Sequence, residues 1–446
     1  MLADVLEADY LVIGAGAMGV AFADEVLAQD KSAQIIMVDR RSRAGGHWND
    51  AYSYVKLHQP AAFYGVRSED LGPGGSALVS GTEVLAYYER VIEKLKASGR
   101  LRFFPLCEWT GNSSFRSLVG HQDDCQVKVR RKLVDATYMK VEVPSIRPPA
   151  YGVADGVALI PPNAIPRLVN PPSGYVVIGA GKTGIDAVLF LLDQGVDPDA
   201  IEWIMPNDAW LLDRARLSPG KIAEGLSQMK AFAEARSVDD LFRSLEAHGG
   251  VLRIDDNVWP TKYRCATVDM NELRQLRRVK KIIRMGRVRC LEPESIILEA
   301  GKVPTNAKKL HIDCSADGLA KRSVRPVFEG NLITLQSLAM CQQVFSASVI
   351  AYVESRYSDD EIMNGLCQVV PHPEFPKDFI ACSVATNQNT ERWLRAFPRW
   401  LVGNRLSILH HDRLWALVIA GIRMRKFMGP SNENLQRLME EECSAA

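Results

Sequence analysis

Leu11-Val-Ile-Gly-Ala-Gly-Ala-Met-Gly19 constrains this chain more than any other stretch. Three apolar β-formers run into three glycines, Gly14, Gly16 and Gly19, and a helical pattern follows from Val20 to Ala28. Strand, tight turn and helix at this spacing form a dinucleotide-binding fingerprint. Gly14 permits the turn, Gly16 lets a pyrophosphate approach the backbone, and Gly19 lets the helix pack close to the strand. Ala15, Ala17 and Met18 complete a turn whose free N–H groups, with the helix dipole, favour phosphate. Gln34 to Val38 reads as a second buried strand ending at Asp39. An acid there accepts from a ribose 2′-OH and repels a 2′-phosphate, so the first fold should take FAD or NAD rather than NADP.

The pattern occurs twice. Tyr175 to Ile178 is a second apolar strand, Gly179-Ala-Gly-Lys-Thr-Gly184 a second fingerprint, and Ile185 to Leu192 its helix. Two such folds in one chain predict two dinucleotides held face to face. A length of 446 residues suffices for two or three domains. A net charge of +1 offers no bulk attraction for nucleic acid. No stretch approaches the roughly 18 apolar residues of a membrane span. No basic region precedes an apolar one at the N-terminus, so no signal peptide and a cytoplasmic location are expected. The nine cysteines include no Cys-x-x-Cys, and reduced buried thiols are expected. The eight histidines show no ligand spacing, His410-His411 included, so no metal is expected.

Directly after Asp39 comes Arg40-Arg-Ser-Arg-Ala-Gly-Gly-His-Trp48. An acid at a strand end followed by Gly-Gly-x-Trp resembles the flavin-containing monooxygenases and their Baeyer–Villiger relatives. The resemblance covers most of Leu11 to about Ser355. It implies that Arg40, Gly46, His47 and Trp48 lie along FAD. Tyr52 to Tyr64, centred on Leu57-His58-Gln59-Pro60, would line the flavin ring, or else form an irregular packed connection. His58 and Gln59 are the catalytic candidates, with Leu57 and Gln59 also facing the cofactor. The second turn, through Gly179, Gly181, Lys182, Thr183 and Gly184, would hold the nicotinamide cofactor. The strand Ile201 to Met205 runs into Pro206-Asn207-Asp208 without an arginine. Lys182, Arg214 and Arg216 are the nearest cations for a 2′-phosphate, and Asp208 would repel one if it faced the site. The resemblance implies NADPH, and the local residues leave NADH open.

Further elements follow from periodicity. Thr82 to Lys96 and Glu272 to Arg284 read as amphipathic helices, the latter with Arg274, Arg277, Arg278 and Lys281 on one face. Leu101 to Pro105, Gln126 to Arg130, Lys132 to Thr137, Leu310 to Cys314 and Asn331 to Leu335 read as strands. Proline-rich Pro144 to Pro172 reads as a surface linker. Ser315-Ala-Asp-Gly318 resembles the return to the FAD domain, whose last helix, Ser346 to Ser355, would aim its N-terminus at the flavin pyrimidine. Gln336 and the residues near Phe345 are cofactor candidates on that ground. From Pro371 the chain reads as helices carrying Trp393, Trp400 and Trp415, with apolar Leu414 to Ile422 packed on the body rather than on a membrane.

Two places depart from the family pattern. Tyr138 stands where Ala-Thr-Gly would have its glycine. Ala154 to Ile160 keeps the glycine of Phe-x-Gly-x-x-x-His, at Gly156, and lacks its Phe and His. The resulting expectation is an α/β protein of two Rossmann-like domains in a glutathione-reductase-like arrangement. FAD would be bound by 1–173 and 316–370, the nicotinamide by 174–315, with a helical region at 371–446. The implied activity is an FAD-dependent, NAD(P)H-using monooxygenase that oxidises a small organic substrate with O₂ through a flavin C4a-peroxide. The alternatives are a flavin oxidoreductase without oxygen insertion and a non-catalytic flavin-binding protein.

Overall fold

The computed structural model describes residues 5–74, 77–120, 124–217, 222–316, 318, 322–410 and 414–444. Asp317, His411 and the side chains of Leu414 to Ile422, among them Trp415, lie outside the described residues.

Two parallel sheets dominate the mixed α/β fold. In the first, Leu101–Phe104, Ile35–Val38, Leu6–Ile13, Cys125–Asp135 and Leu332–Thr334 lie side by side, all parallel. Phe328–Glu329 closes one edge, and the hairpin Cys107–Gly111/Ser114–Ser117 adds to Cys125–Asp135. Continuous apolar runs such as Ile35-Ile-Met-Val38 suit a strand covered on both faces. Helices Ala17–Gln29, Gly81–Ala97 and Gln343–Glu354 bury their apolar residues on one face of this sheet. A capping box starts Gly81–Ala97: Ser80 accepts from the Glu83 N–H and Glu83 from the Ser80 N–H at 2.8 Å.

In the second sheet the order is Lys281–Ile283, Ile201–Ile204, Gly174–Ile178, Lys309–Asp313 and Leu159–Ile160, again all parallel. Helix Lys182–Asp193 packs on it through Ile185, Val188 and Leu192. Ala209–Asp213, between Val251–Leu252 and Lys262–Val268, makes a small third sheet.

Four expectations change. The helix expected over 272–284 ends at Leu276, and Lys281–Ile283 is instead an edge strand paired with Glu202–Ile204. Its β-branched Ile282-Ile283 favours that outcome. The two strands expected over 126–137 are one, Cys125–Asp135, with an irregularity in its pairing beside Ala8 and Tyr10. The linker supplies strands of its own, Gly152–Val153 and Leu159–Ile160. Cys265 and Cys341, 76 residues apart in sequence, are joined as a disulfide, against the expectation of reduced thiols. Tertiary packing brings their Cα atoms to 6.6 Å, which no short-range spacing announces.

Helices Pro376–Ala396, Pro398–Gly403 and Leu414–Ser444 follow. Trp393 is buried and donates to the Leu366 carbonyl at 2.8 Å, while Trp400 donates to Glu25 at 3.0 Å. Asn434 of the last helix donates to the carbonyls of Phe232 and Ala235 at 2.8 Å. Among the described residues, no helix is long and apolar enough to cross a membrane.

Candidate functional site

Both glycine turns open into one cleft of about 1970 Å³. The turns are near copies. Gly16 (φ −75°, ψ −179°) and Gly181 (φ −78°, ψ −177°) each precede a helix, and Gly14 (φ +101°) and Gly179 (φ +121°) each take the left-handed turn position. A Cβ on Gly19 would sit 2.1 Å from the Gly14 carbonyl oxygen, and one on Gly184 would sit 2.1 Å from that of Gly179. These glycines fix helix-to-strand contact and do not line the cleft, nor does Ala15. Gly16 and Gly181 do line it. A Cβ there would meet nothing closer than 3.7 Å at Gly16 and nothing within 4 Å at Gly181. The helices behind the turns supply N–H groups and a positive dipole end toward the cleft, where an anion would be held.

At the first turn, Gly14, Gly16, Ala17, Met18, Asp39, Arg40, Gly46, His47 and Trp48 share the lining. The Asp39 carboxylate is buried and accepts from the N–H groups of Ala15 at 2.7 Å and Arg41 at 2.8 Å. Two hydrogen bonds leave a carboxylate further acceptor positions for a hydroxyl. Gly45 takes φ +117°, where a Cβ would collide with Leu85 at 2.6 Å, and its N–H donates to Ala15. His47 stacks on Trp48 with ring centroids 5.4 Å apart, and burial pushes its pKa down to about 4. Arg40 is exposed and pairs with Glu108 at 3.7 Å.

The segment after Trp48 bridges the two halves. Tyr54 stacks on Phe190 at 4.1 Å, and Tyr52 donates to Asp186 at 2.7 Å. Leu57 is wholly buried and faces the core, not the cleft. His58 and Gln59 line the cleft. The His58 carbonyl accepts from Arg214 and Thr267, yet its Nδ1 is buried without a partner. Burial first, then the charges of Lys182 and Arg214, push the imidazole pKa down to about 3, so it stays neutral.

Gln336 lines the cleft, but its amide is engaged with the Arg325 backbone, donating at 2.9 Å and accepting at 3.2 Å. Gln343 has the opposite status. It stands at the first position of Gln343–Glu354, lines the cleft, and both polar atoms of its buried amide lack a partner. The sequence includes it only among the residues near Phe345, without singling it out, because Gln342-Gln343 carries no strong cap residue and the pattern predicts a helix that begins three residues later.

At the second turn, Gly179, Gly181, Lys182 and Thr183 line the cleft. Lys182 is paired with Asp186 one turn along its helix. Arg214 is not among the lining residues. Its buried guanidinium donates to Asp269 at 3.1 Å, to Glu272 at 2.6 Å and to the His58 carbonyl at 3.1 Å. Arg216 is half-exposed and pairs with Asp213 at 3.7 Å. Asp208, the feared repulsive acid, is bound bidentate by Arg284 at 2.8 and 3.0 Å. Arg284 follows the unforeseen strand Lys281–Ile283, and so does Arg287, which lines the cleft with Pro206 and Asn207. Tyr138, in place of a glycine, donates to the Ser323 carbonyl at 2.6 Å.

No family model matches the chain. An uncharacterized protein of Mycobacterium tuberculosis (H37Rv) is 43% identical across 98% of this chain and 86% of its own length, and one of Mycobacterium bovis matches equally. An FAD-dependent monooxygenase of Aspergillus sclerotiorum is 27% identical, over 44% of this chain and 36% of its own length. Among solved structures, the polycyclic ketone monooxygenase of Thermothelomyces thermophila superposes with a TM-score of 0.52 at 12% identity, covering 96% of this chain and 89% of that one. The NADP⁺-bound cyclohexanone monooxygenase of Rhodococcus sp. Phi1 gives 0.51 at 13% identity, covering 95% and 98%. The chain thus belongs to one family with these mycobacterial proteins, and its fold is that of the Baeyer–Villiger flavin monooxygenases.

Proposed function

We propose that the chain is an FAD-dependent, NAD(P)H-using monooxygenase acting on a small organic substrate with O₂. The observation that carries this reading is the pair of near-identical glycine turns opening on one cleft. In this reading each parallel sheet is a Rossmann-like dinucleotide-binding fold, in the glutathione-reductase-like arrangement, with the C-terminal helices as an extension. FAD is held by Gly14, Gly16, Ala17, Met18, Asp39, Arg40, Gly46, His47 and Trp48, with Gln59 beside it. The nicotinamide cofactor is held by Gly179, Gly181, Lys182 and Thr183.

The lining fits these groups. The unpaired Gln343 amide, one donor and one acceptor at a helix N-terminus, matches the alternating acceptors and N–H of a flavin pyrimidine. Its helix dipole favours negative charge there. The bound flavin supplies hydride acceptance and oxygen activation. The protein's own residues hold and orient it, keep water from the buried wall, and offer a neutral His58 whose Nδ1 can bond cofactor or substrate. Arg287, beside Pro206 and Asn207, is the cation for a 2′-phosphate in place of Arg214.

One observation favours the non-oxygenating oxidoreductase: Gly156 lies in a turn without the Phe and His of the monooxygenase signature. A single experiment separates the readings. The purified holoprotein is mixed with NADPH, and separately with NADH, in ¹⁸O₂ and a panel of ketones, sulfides and amines. Product carrying ¹⁸O supports the monooxygenase. Flavin reduction with all oxygen recovered as H₂O₂ across the panel supports the second reading. No flavin reduction overturns both and leaves a binding protein.

A further inference from the structure

The disulfide Cys265–Cys341 lies in the wall of the same cleft, and so does His372. Cys265 interrupts the strand Lys262–Val268 with φ +55°, and Cys341 precedes the helix Gln343–Glu354 with φ +59°. Both cysteines thus hold a left-handed backbone that L-residues rarely adopt. Cys265 is 3% exposed, whereas Cys341 is partly open to the cleft. His372 Nε2 stands 3.7 Å from Cys341 Sγ. Its other nitrogen, Nδ1, is 3.0 Å from the Pro373 carbonyl. A carbonyl only accepts, so Nδ1 carries the hydrogen and Nε2 turns its lone pair toward the sulfur. Burial and the nearby Arg264 charge keep this imidazole neutral, ready to take a proton.

We propose that Cys265–Cys341 is a thiol–disulfide exchange site for a low-molecular-weight thiol, with Cys341 as the exchanging sulfur and His372 as its base. In reduction, an incoming thiolate RS⁻ attacks Cys341 Sγ. The S–S bond breaks, a mixed disulfide forms on Cys341, and Cys265 leaves as thiolate. A second RS⁻ attacks the mixed disulfide, releasing RSSR and the Cys341 thiolate. Two thiolates are oxidised and one protein disulfide is reduced. Oxidation runs the same steps backwards, with His372 Nε2 accepting the Cys341 proton before that sulfur attacks RSSR. The helix that begins at Gln343 further favours the Cys341 thiolate. Burial raises the thiols of Cys314, Cys367 and Cys382 above the usual cysteine range, which leaves them inert to the same reagent. Because this bond ties the strand to the segment that leads into the helix, exchange alters the cleft wall in response to thiol poise. The inference stands on the cysteines and histidine alone and does not depend on the flavin reading.

The test equilibrates full-length native protein in graded reduced and oxidised glutathione, then alkylates it and maps each cysteine by mass. The expected result is reversible conversion of the 265–341 pair, with far-UV circular dichroism unchanged. Cys265→Ser should trap one glutathione on Cys341, and Cys341→Ser should trap none on Cys265. His372→Ala should slow mixed-disulfide formation on the order of tenfold near neutral pH. Absence of the 265–341 link at every ratio, exchange only after denaturation, or faster glutathione capture at Cys265 would overturn the proposal.

Discussion

Gly16 and Gly19 are three positions apart in one turn and do different work. A Cβ on Gly19 would lie 2.1 Å from a backbone oxygen, while Gly16 is in extended backbone with its nearest neighbour 3.7 Å away. Gly19→Ala should therefore cost about 3 kcal/mol or more, because strand and helix must separate. Gly16→Ala should leave the cofactor-free melting curve in place and lower the FAD bound after purification. Equal melting temperatures for the two variants would refute this division. Gln343 makes a sharper case. With both amide atoms buried and unpaired, it destabilises the cofactor-free fold. Gln343→Leu should raise apo stability by about 1 kcal/mol and weaken FAD retention. A fall in both quantities would mean that the amide serves the fold and not a ligand.

At the scale of elements, the strand Lys281–Ile283 changes the coenzyme question. Parallel to Ile201–Ile204, it delivers Arg284 to Asp208 and Arg287 to the cleft. Arg287→Ala should weaken NADPH by roughly 10- to 150-fold, the worth of one charge-assisted phosphate contact, and leave NADH unchanged. Arg214→Ala should leave the NADPH to NADH ratio unchanged and destabilise the fold by about 3 kcal/mol, since Asp269 and Glu272 lose their shared partner. The opposite pattern in reduction rates and melting would restore Arg214 as the phosphate contact. This part of the site was not legible in the sequence. Glu272 to Arg284 has a helical apolar spacing, yet the helix itself carries only Leu273 and Leu276 of it into the core, and Ile282-Ile283 pairs with a neighbouring strand. What was legible was whatever local chemistry dictates. The glycine turns require particular φ values and close approaches, so their residues stood where expected. Asp39 at a strand end and the Gly45-Gly46 bend were readable for the same reason. Gln343 and the 265–341 disulfide depend on segments meeting across the molecule, and no spacing encodes that.

Among the described residues, four histidines at buried or half-buried positions share one electrostatic sign. His47 and His58 lie at the first half of the cleft, with pKa values pushed down to about 4 and about 3. His311 sits in the interior strand Lys309–Asp313, and His372 lies beside the disulfide; burial lowers both. In the unfolded chain each would titrate near the usual pKa of about 6.5. Below that pH the unfolded state binds protons that the native state refuses, so acid favours unfolding. The stabilisation is fully present above about pH 6.5 and is lost as pH falls toward the depressed native values. Asp24 and Glu354, raised by burial, act in the opposite direction between the ordinary carboxylate range and their raised native values, and so offset part of that loss. Denaturant midpoints should therefore be flat from about pH 8 to 7 and fall steadily from about 6.5 to 5. His58→Asn should shallow that fall by close to one proton's slope, while leaving the plateau above pH 7 less affected. A midpoint that holds constant down to about pH 5 would mean that these imidazoles are protonated in the native protein, and with them the base assigned to Cys341 would lose its lone pair.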